Sequence, residues 1–526
     1  MLNTPTALGG MVTAPHHLAS EAGVRVLRDG GNAVEAMVAM AAAIAVVYPH
    51  MNAVGGDGFW LIAEKGKAPV GIDAAGQSAG LASPAFYQDQ GLDQIPSRGP
   101  GAALTVAGTI GGWAEALKIG GGKLPLSRLL EDAIRHANDG VPVTVGQHEL
   151  TLDKLDGLIN VPGFAETYLR DGAVPAPGDV LRQPALGATL AHLVEAGLDD
   201  FYRGDIARAN AKVLTDIGSP LRLSDLEAYQ AKQVAALQVK TSAGTVYNMP
   251  PPTQGVSSLM ILALFDRLGV KTAEGFDFVH GLVEATKQAF ILRNAELTDP
   301  AFMSQDVQAW LDDGFLDDLA ANIDMGKALA WPVPTKPGDT IWMGAIDADG
   351  RAVSFIQSIF WEYGSGVVVP ETGVLWQNRG HGFTLDAEHP NVLAPGKRPF
   401  HTLNPAMASL NDGTVLSYGT MGGEGQPQTQ AAVFARYAFF QQRLQESVTA
   451  PRWLLGRTWG EESTTLKVES RFEPTLVQQL REAGHTIDMM DAFNSTMGHA
   501  GAVALRPNGV FEGATDPRSD GAVAAF

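Results

Sequence analysis

Cysteine is absent from this chain of 526 residues. That removes disulfides, thiolate metal sites and cysteine nucleophiles together. The lack fits a reducing compartment, and a cytoplasmic location is expected. Cationic runs are missing as well. Lys+Arg 37 against Asp+Glu 57 leaves a net charge of −20, and a nucleic-acid binder needs a basic footprint, so no nucleic-acid partner is expected. Long hydrophobic runs are also missing. The most membrane-like stretch, Ala33 to Pro49, carries Glu35 and falls short of the roughly 20 residues a span needs. The first ten residues hold no Lys or Arg and no apolar run, so neither a signal peptide nor a membrane partner is expected.

What is present suits a large folded core: 45% hydrophobic and 18% charged residues, without tandem repeats. Leu18 to Asp29 repeats apolar residues at helical spacing and stops at Gly30-Gly31. Asn32 opens a second helix, with Glu35 placed to complete a capping box. The run Ala36 to Val47 is apolar on nearly every side, which predicts a helix buried all round. Gly55-Gly56-Asp57-Gly58 follows, then a strand pattern over Phe59 to Ala63. Residues 100 to 330 read as mainly helical, including Leu186–Glu195, Ser257–Leu268 and His280–Leu297, and contain the proline knot Pro250-Pro251-Pro252. The segment from Trp331 to Asp339 holds three prolines and a glycine and forbids regular structure. On composition alone that break reads as an interdomain linker.

Two stretches after the break carry candidate chemistry. Thr340 to Asp347 and Arg351 to Ser358 read as a hairpin, with Ala348-Asp349-Gly350 as a three-residue loop. Pairing Asp347 with Arg351 and continuing the register sets Thr340 opposite Ser358. Such pairs are common in ordinary sheets, so the two hydroxyls alone do not establish catalysis. The second stretch is a strand over Thr414 to Tyr418, a tight loop Gly419 to Gly425 and a helix predicted from Gln428 to Arg443. Backbone N–H groups at such a junction can hold developing negative charge. The loop lacks the Gly-Lys-Ser/Thr ending of a phosphate loop, which leaves an oxyanion hole or a purely structural turn.

These pieces stand in an order that resembles the γ-glutamyltransferase family. Ala14-Pro15-His16, Gly30-Gly31-Asn32-Ala33, Pro49-His50 and Gly55 to Phe59 open the likeness. Pro251-Pro252, Glu284, Lys287, Arg293, Asp299-Pro300, Gly338-Asp339-Thr340, Lys397-Arg398-Pro399 and Gly422-Gly423 continue it in collinear order over nearly the whole chain. The resemblance implies an α/β (α+β) chain folded as a four-layer αββα sandwich of the Ntn-hydrolase type, built from both pieces of a self-cleaved precursor. The matching cut lies between Asp339 and Thr340. It gives a large chain 1–339 and a small chain 340–526 in one intertwined domain, so the apparent linker becomes a cleavage loop. Thr340 is then implied as nucleophile, Ser358 as its hydroxyl partner, and Gly422 and Gly423 as oxyanion donors, with no cofactor. The partners implied are a small-molecule amide and the two chains themselves; a homodimer of such units is compatible with them.

The family's glutamyl-recognition residues are not kept. Ala75 and Gly76 stand where it has an Arg-Glu pair, His381-Gly382 where it has an acidic pair, His401-Thr402 where it has two serines, and Phe360 where it has asparagine. Losing a charge-assisted bond at each end of the substrate costs on the order of 1.5–3 kcal/mol apiece, so γ-glutamyl recognition should weaken at least about a hundredfold. Intact amidase machinery with a changed, smaller substrate is the expectation. The alternatives are a γ-glutamyl enzyme with a rearranged pocket and a non-catalytic binding relative. A carboxylate next to the scissile amide would still need a cation, and Arg98, Arg379 and His401 are the candidates, with Phe360 and Thr402 lining the pocket. His381, His389 and His401 fit no zinc spacing, so no metal is expected.

Overall fold

The computed structural model describes residues 3–331, 339–456 and 464–526. Segment 332–338, most of the expected cleavage loop, lies outside the described residues. The capping box forms as the sequence predicts: Asn32 Oδ1 accepts from the N–H groups of Val34 and Glu35, and Glu35 accepts from Asn32 N at 2.8 Å. Asp347 adds a further acceptor for Ala33 N, tying the start of helix Ala33–Val47 to the hairpin turn. Caps of this kind contribute about 1 kcal/mol each. Every residue of that helix is buried, as its unbroken apolar run requires.

Two seven-stranded antiparallel sheets stack face to face. The first runs in the order Ala522–Ala525, Gly10–Ala14, Asp339–Asp347, Ala352–Phe360, Asp57–Ala63, Val70–Ala74, Lys232–Ala235. The second runs Thr6–Ala7, Phe511–Thr515, Ala500–Leu505, Val415–Thr420, Ala406–Leu410, Gly244–Asn248, Leu237–Thr241. Strands from before and after residue 339 therefore interleave in both sheets. Between the sheets Phe59, Leu61, Trp342, Ile346 and Ile356 meet Tyr247, Met407, Val503 and Phe511. Trp342 fits only because the opposite sheet offers glycine: a Cβ on Gly419 would lie 2.2 Å from its ring.

Helices close the outer faces. Ala33–Val47 lies on the first sheet, while Gly255–Arg267 and Gln426–Phe434 lie on the second. The layering is the expected αββα sandwich. Among the described residues no helix is long and apolar enough to cross a membrane. Two expectations need correction. The helix after the glycine loop starts earlier, at Gln426, and ends before Arg443 as a wider turn, Ala435–Phe439, beyond which Gln441 takes a positive φ of 56°. The mainly helical middle also supplies three strands to the two large sheets, one of which, Leu237–Thr241, alternates buried Leu237 and Val239 with exposed Gln238 and Lys240.

Candidate active site

The hairpin keeps its predicted register from Ile341↔Gln357 to Ile346↔Ala352, and Gly350 takes the left-handed turn position at φ 81°. At its open end the register shifts, because Asp339 pairs with Phe360. Ser358 and Ile359 thus share the place opposite Thr340, and the direct Thr340–Ser358 pair predicted from the sequence is replaced by a bulge. Phe360, next to the bulge, takes a φ of 82°, and its N–H donates to Ser358 Oγ at 2.8 Å. Bulges re-aim side chains in this way. Thr340 and Ser358 are both fully buried, and Ser358 pairs across the next strand with Asp57.

Arg379 joins this group. Its Nη2 donates to Ser358 Oγ and its Nη1 to Thr402 Oγ, each at 3.3 Å, and the guanidinium lies 4.1 Å from the centre of the Phe360 ring. It is fully buried, its Nε has no partner, and no carboxylate reaches ion-pair distance among the described residues. Burial pushes its pKa down to about 9, opposed at longer range by Asp57. A buried guanidinium without a counter-ion is rare and calls for an anion.

Asp57 is the hub behind it. Oδ1 accepts from Gly76 N, Gly108 N and Gln377 Nε2 at 2.9, 3.2 and 3.0 Å, and Oδ2 faces His401 Nε2 at 3.0 Å. Desolvation pushes the carboxyl up to about 7, against these hydrogen bonds. Burial, with Arg379 nearby, drives the His401 pKa well down, so the ring is neutral. That corrects its candidacy as a cation. Arg98, the remaining cationic candidate, donates Nη1 to the backbone carbonyls of Glu362 and Gly364 and thus braces that loop.

The glycine loop is placed by side chains from elsewhere. Gln254 Nε2 donates to the carbonyls of Thr402 and Gly423 at 2.8 and 2.9 Å, and Arg293 ties Gln254 to Glu424. The proline knot anchors the other side, since His401 N donates to Pro252 O and Gln254 N to His401 O. Gly422 and Gly423 adopt φ of 121° and 52°, conformations open to glycine. Gln426, which begins the following helix, points Nε2 at Thr340 Oγ at 3.5 Å. The structure thus gathers Thr340, Ser358, Phe360, Arg379 and Thr402, and links the Gly422-Gly423 loop to them. Asp57, Gln254 and Gln426 were missed as site residues. For Asp57 the signal was available: a lone carboxylate among three glycines at the head of a strand.

His381 and His389 meet separate backbone partners: His381 Nδ1 meets Ile95 O, and His389 Nδ1 accepts from Asn391 N. His280, Glu284 and His485 do cluster, but His280 bonds His485 and Asp324 O, and Lys287 occupies Glu284 at 2.6 Å. At the expected Arg-Glu position the space is closed, because a Cβ on Gly76 would lie 1.6 Å from Val106 O.

The chain resembles known proteins over its whole length. A family profile described as gamma-glutamyltranspeptidase matches residues 19–526. An oxamate amidohydrolase proenzyme of Klebsiella pneumoniae is 54% identical over 521 residues, covering 98% of each chain. A glutathione hydrolase-like YwrD proenzyme of Bacillus subtilis is 40% identical over 517 residues, 97% of each. The crystal structure of cephalosporin acylase from Bacillus halodurans superposes with a TM-score of 0.92 at 33% identity, covering 100% of this chain and 97% of that one.

Proposed function

The chain belongs to the gamma-glutamyltranspeptidase family of enzymes, and from that premise we propose that it is made as a precursor, cuts itself before Thr340 and then hydrolyses a small carboxylate-bearing amide, oxamate being the substrate that suits the site best. The observation that carries the substrate class is Arg379, a buried cation with no counter-ion among the described residues, beside Ser358 and Thr402. Oxamate presents one carboxylate directly beside its amide, and its small size suits a site floored by Phe360. The name borne by the Klebsiella relative agrees with this choice.

Cleavage leaves chains of 339 and 187 residues, held together because both contribute strands to both sheets. It also frees the Thr340 α-amine, whose ordinary pKa of about 7.7–8.0 suits a base near neutral pH. The amine takes the proton of Thr340 Oγ, which attacks the amide carbonyl carbon. The N–H groups of Gly422 and Gly423 stabilise the oxyanion. Collapse breaks the C–N bond as the α-ammonium returns its proton to the leaving nitrogen, which departs as ammonia. Water, deprotonated by the same amine, then attacks the acyl ester, and the departing Thr340 Oγ recovers that proton. Net, oxamate and water give oxalate and ammonia.

Intact-mass measurement tests the first half: wild type should appear as two chains and Thr340→Ala as one. Ammonia release from oxamate against release of p-nitroaniline from γ-glutamyl-p-nitroanilide tests the second. A wild type that stays whole yet turns over amides overturns the mechanism; preference for the glutamyl compound overturns the substrate.

A further inference from the structure

We propose that His401, held as a one-way acceptor by Asp57, reads the N–H of the scissile bond and so restricts the site to amides against esters of the same shape. The inference rests on the hydrolase reading above and deepens it. Its first element is hydrogen accounting around Asp57. Three donors converge on Oδ1, from Gly76, Gly108 and Gln377, while Oδ2 is left to the imidazole. A carboxylate can only accept, so His401 Nε2 carries the hydrogen. A neutral imidazole has one N–H, which makes Nδ1 a bare lone pair.

The second element is that this lone pair has no partner. His401 is fully buried and its Nδ1 meets no donor among the described residues. Leaving a buried acceptor unmade costs about 1–3 kcal/mol, so such a group is expected to meet a ligand. The third element is location. The ring stands edge-on to Phe59, 4.8 Å between centres, in the layer between the sheets. The next residue, Thr402, holds Arg379, which reaches Ser358. A substrate with its carboxylate on Arg379 and its carbonyl oxygen at the glycine loop has one polar group left, the amide N–H. Around Asp57 the buried acceptors left unspent among the described residues are His401 Nδ1 and Gln377 Oε1, and His401 is the one joined through Thr402 to Arg379 and Ser358. An ester would bring an oxygen lone pair against the Nδ1 lone pair instead.

Asp57→Asn separates this role from a structural one. The asparagine carbonyl can replace Oδ1 for its three donors, while its NH₂ must donate to His401 Nε2. The imidazole hydrogen then moves to Nδ1, and the acceptor becomes a donor. The mature wild type, Asp57→Asn and His401→Phe are assayed for kcat/KM with oxamate and with monomethyl oxalate, which share one acyl-enzyme. The expected result is a fall in the amide-to-ester ratio of about 10- to 100-fold in Asp57→Asn and about tenfold in His401→Phe, the size of one or two lost hydrogen bonds. Should Asp57→Asn fail to fold, the ratio in His401→Phe decides. A ratio unchanged within about twofold, with both substrates falling together, overturns the proposal. A wild type that hydrolyses neither compound refutes the oxamate reading instead, and the same ratio taken on a γ-glutamyl amide and ester then judges His401.

Discussion

Replacing Arg379 by methionine removes the one charge that the carboxylate reading depends on. Methionine keeps most of the length and can lie against Phe360, where the guanidinium now sits 4.1 Å from the ring centre. Nε is unspent and the two Nη groups give one 3.3 Å bond each to hydroxyls, so the fork can turn at least two N–H groups to an incoming carboxylate. Charge-assisted bonds are worth about 1.5–3 kcal/mol each, and two of them set a loss of about 10²–10⁴ in kcat/KM for oxamate. Ser358 and Thr402 also lose a donor, which would slow any substrate. Oxamide separates the two effects, since a neutral amide replaces the carboxylate at nearly the same size.

Ammonia release should therefore fall about 10²–10⁴-fold for oxamate and less than about tenfold for oxamide. Arg379→Lys should lie between, keeping the charge but losing the planar fork. Arg379→Met should also melt at a higher temperature, because it no longer buries an uncompensated cation. Equal losses on oxamate and oxamide would refute the assignment, as would an oxamate rate that does not change.

The remaining predictions concern Asp57 and a second buried pair. With Asp57 pushed up to about 7, its protonated carboxyl donates to His401 Nε2 below that pH, so the wild-type amide-to-ester ratio should fall as pH drops through about 7 and be flat in Asp57→Asn. Arg379, His401, Tyr202 and Tyr229 are the charged or titratable groups that act on this carboxyl. A pH-independent wild-type ratio would count against it. The folded pKa exceeds the unfolded one, so the folded state holds the extra proton; the contribution of Asp57 to stability is full in acid and declines up to about pH 7. Thermal melting of wild type against Asp57→Asn should show that slope disappear. At the buried Glu284–Lys287 pair, 2.6 Å apart and bonded to both backbone groups of Leu329, Glu284→Gln strands an ammonium and should cost about 3–5 kcal/mol in denaturant unfolding.

Much of this was legible in the chain. The capping box, the buried second helix and the hairpin register rest on local rules of period and turn chemistry, and those rules act within a few residues of one another. The bulge at Thr340 was not legible, because the hairpin loop sets the register only as far as the ladder runs unbroken, and neither the shift nor the positive φ of Phe360 is marked by residue type. Arg379 stood out only as one of three candidate cations; what sets it apart is an absent partner, which is a property of three-dimensional surroundings. Gln254 and Gln426 lie far in sequence from the groups they touch, and amides carry no charge pattern to betray a role.

The strain at Phe360 bears on the order of hydrogen bonds at the nucleophile. A non-glycine residue in the left-handed region costs roughly 1–2 kcal/mol, and asparagine would tolerate it better. Beside the bulge the Phe360 N–H reaches back to Ser358 Oγ, a local side-chain-to-backbone bond of the kind serine forms in turns. A hydroxyl oxygen has two lone pairs. At Ser358 one takes the Phe360 N–H and the other takes Arg379 Nη2. Its single hydrogen must therefore be given away rather than received. On the proposed mechanism Thr340 Oγ, opposite in the bulge, is the acceptor that needs it. Receiving that bond, together with the one from Gln426, turns the Thr340 hydrogen outward to the base and stabilises the oxygen as it loses its proton. The Phe360 N–H, the serine and the arginine then act as one device, because losing either donor returns to Ser358 a lone pair that can compete for the proton of the nucleophile, and losing the serine removes the hydrogen given to Thr340 Oγ.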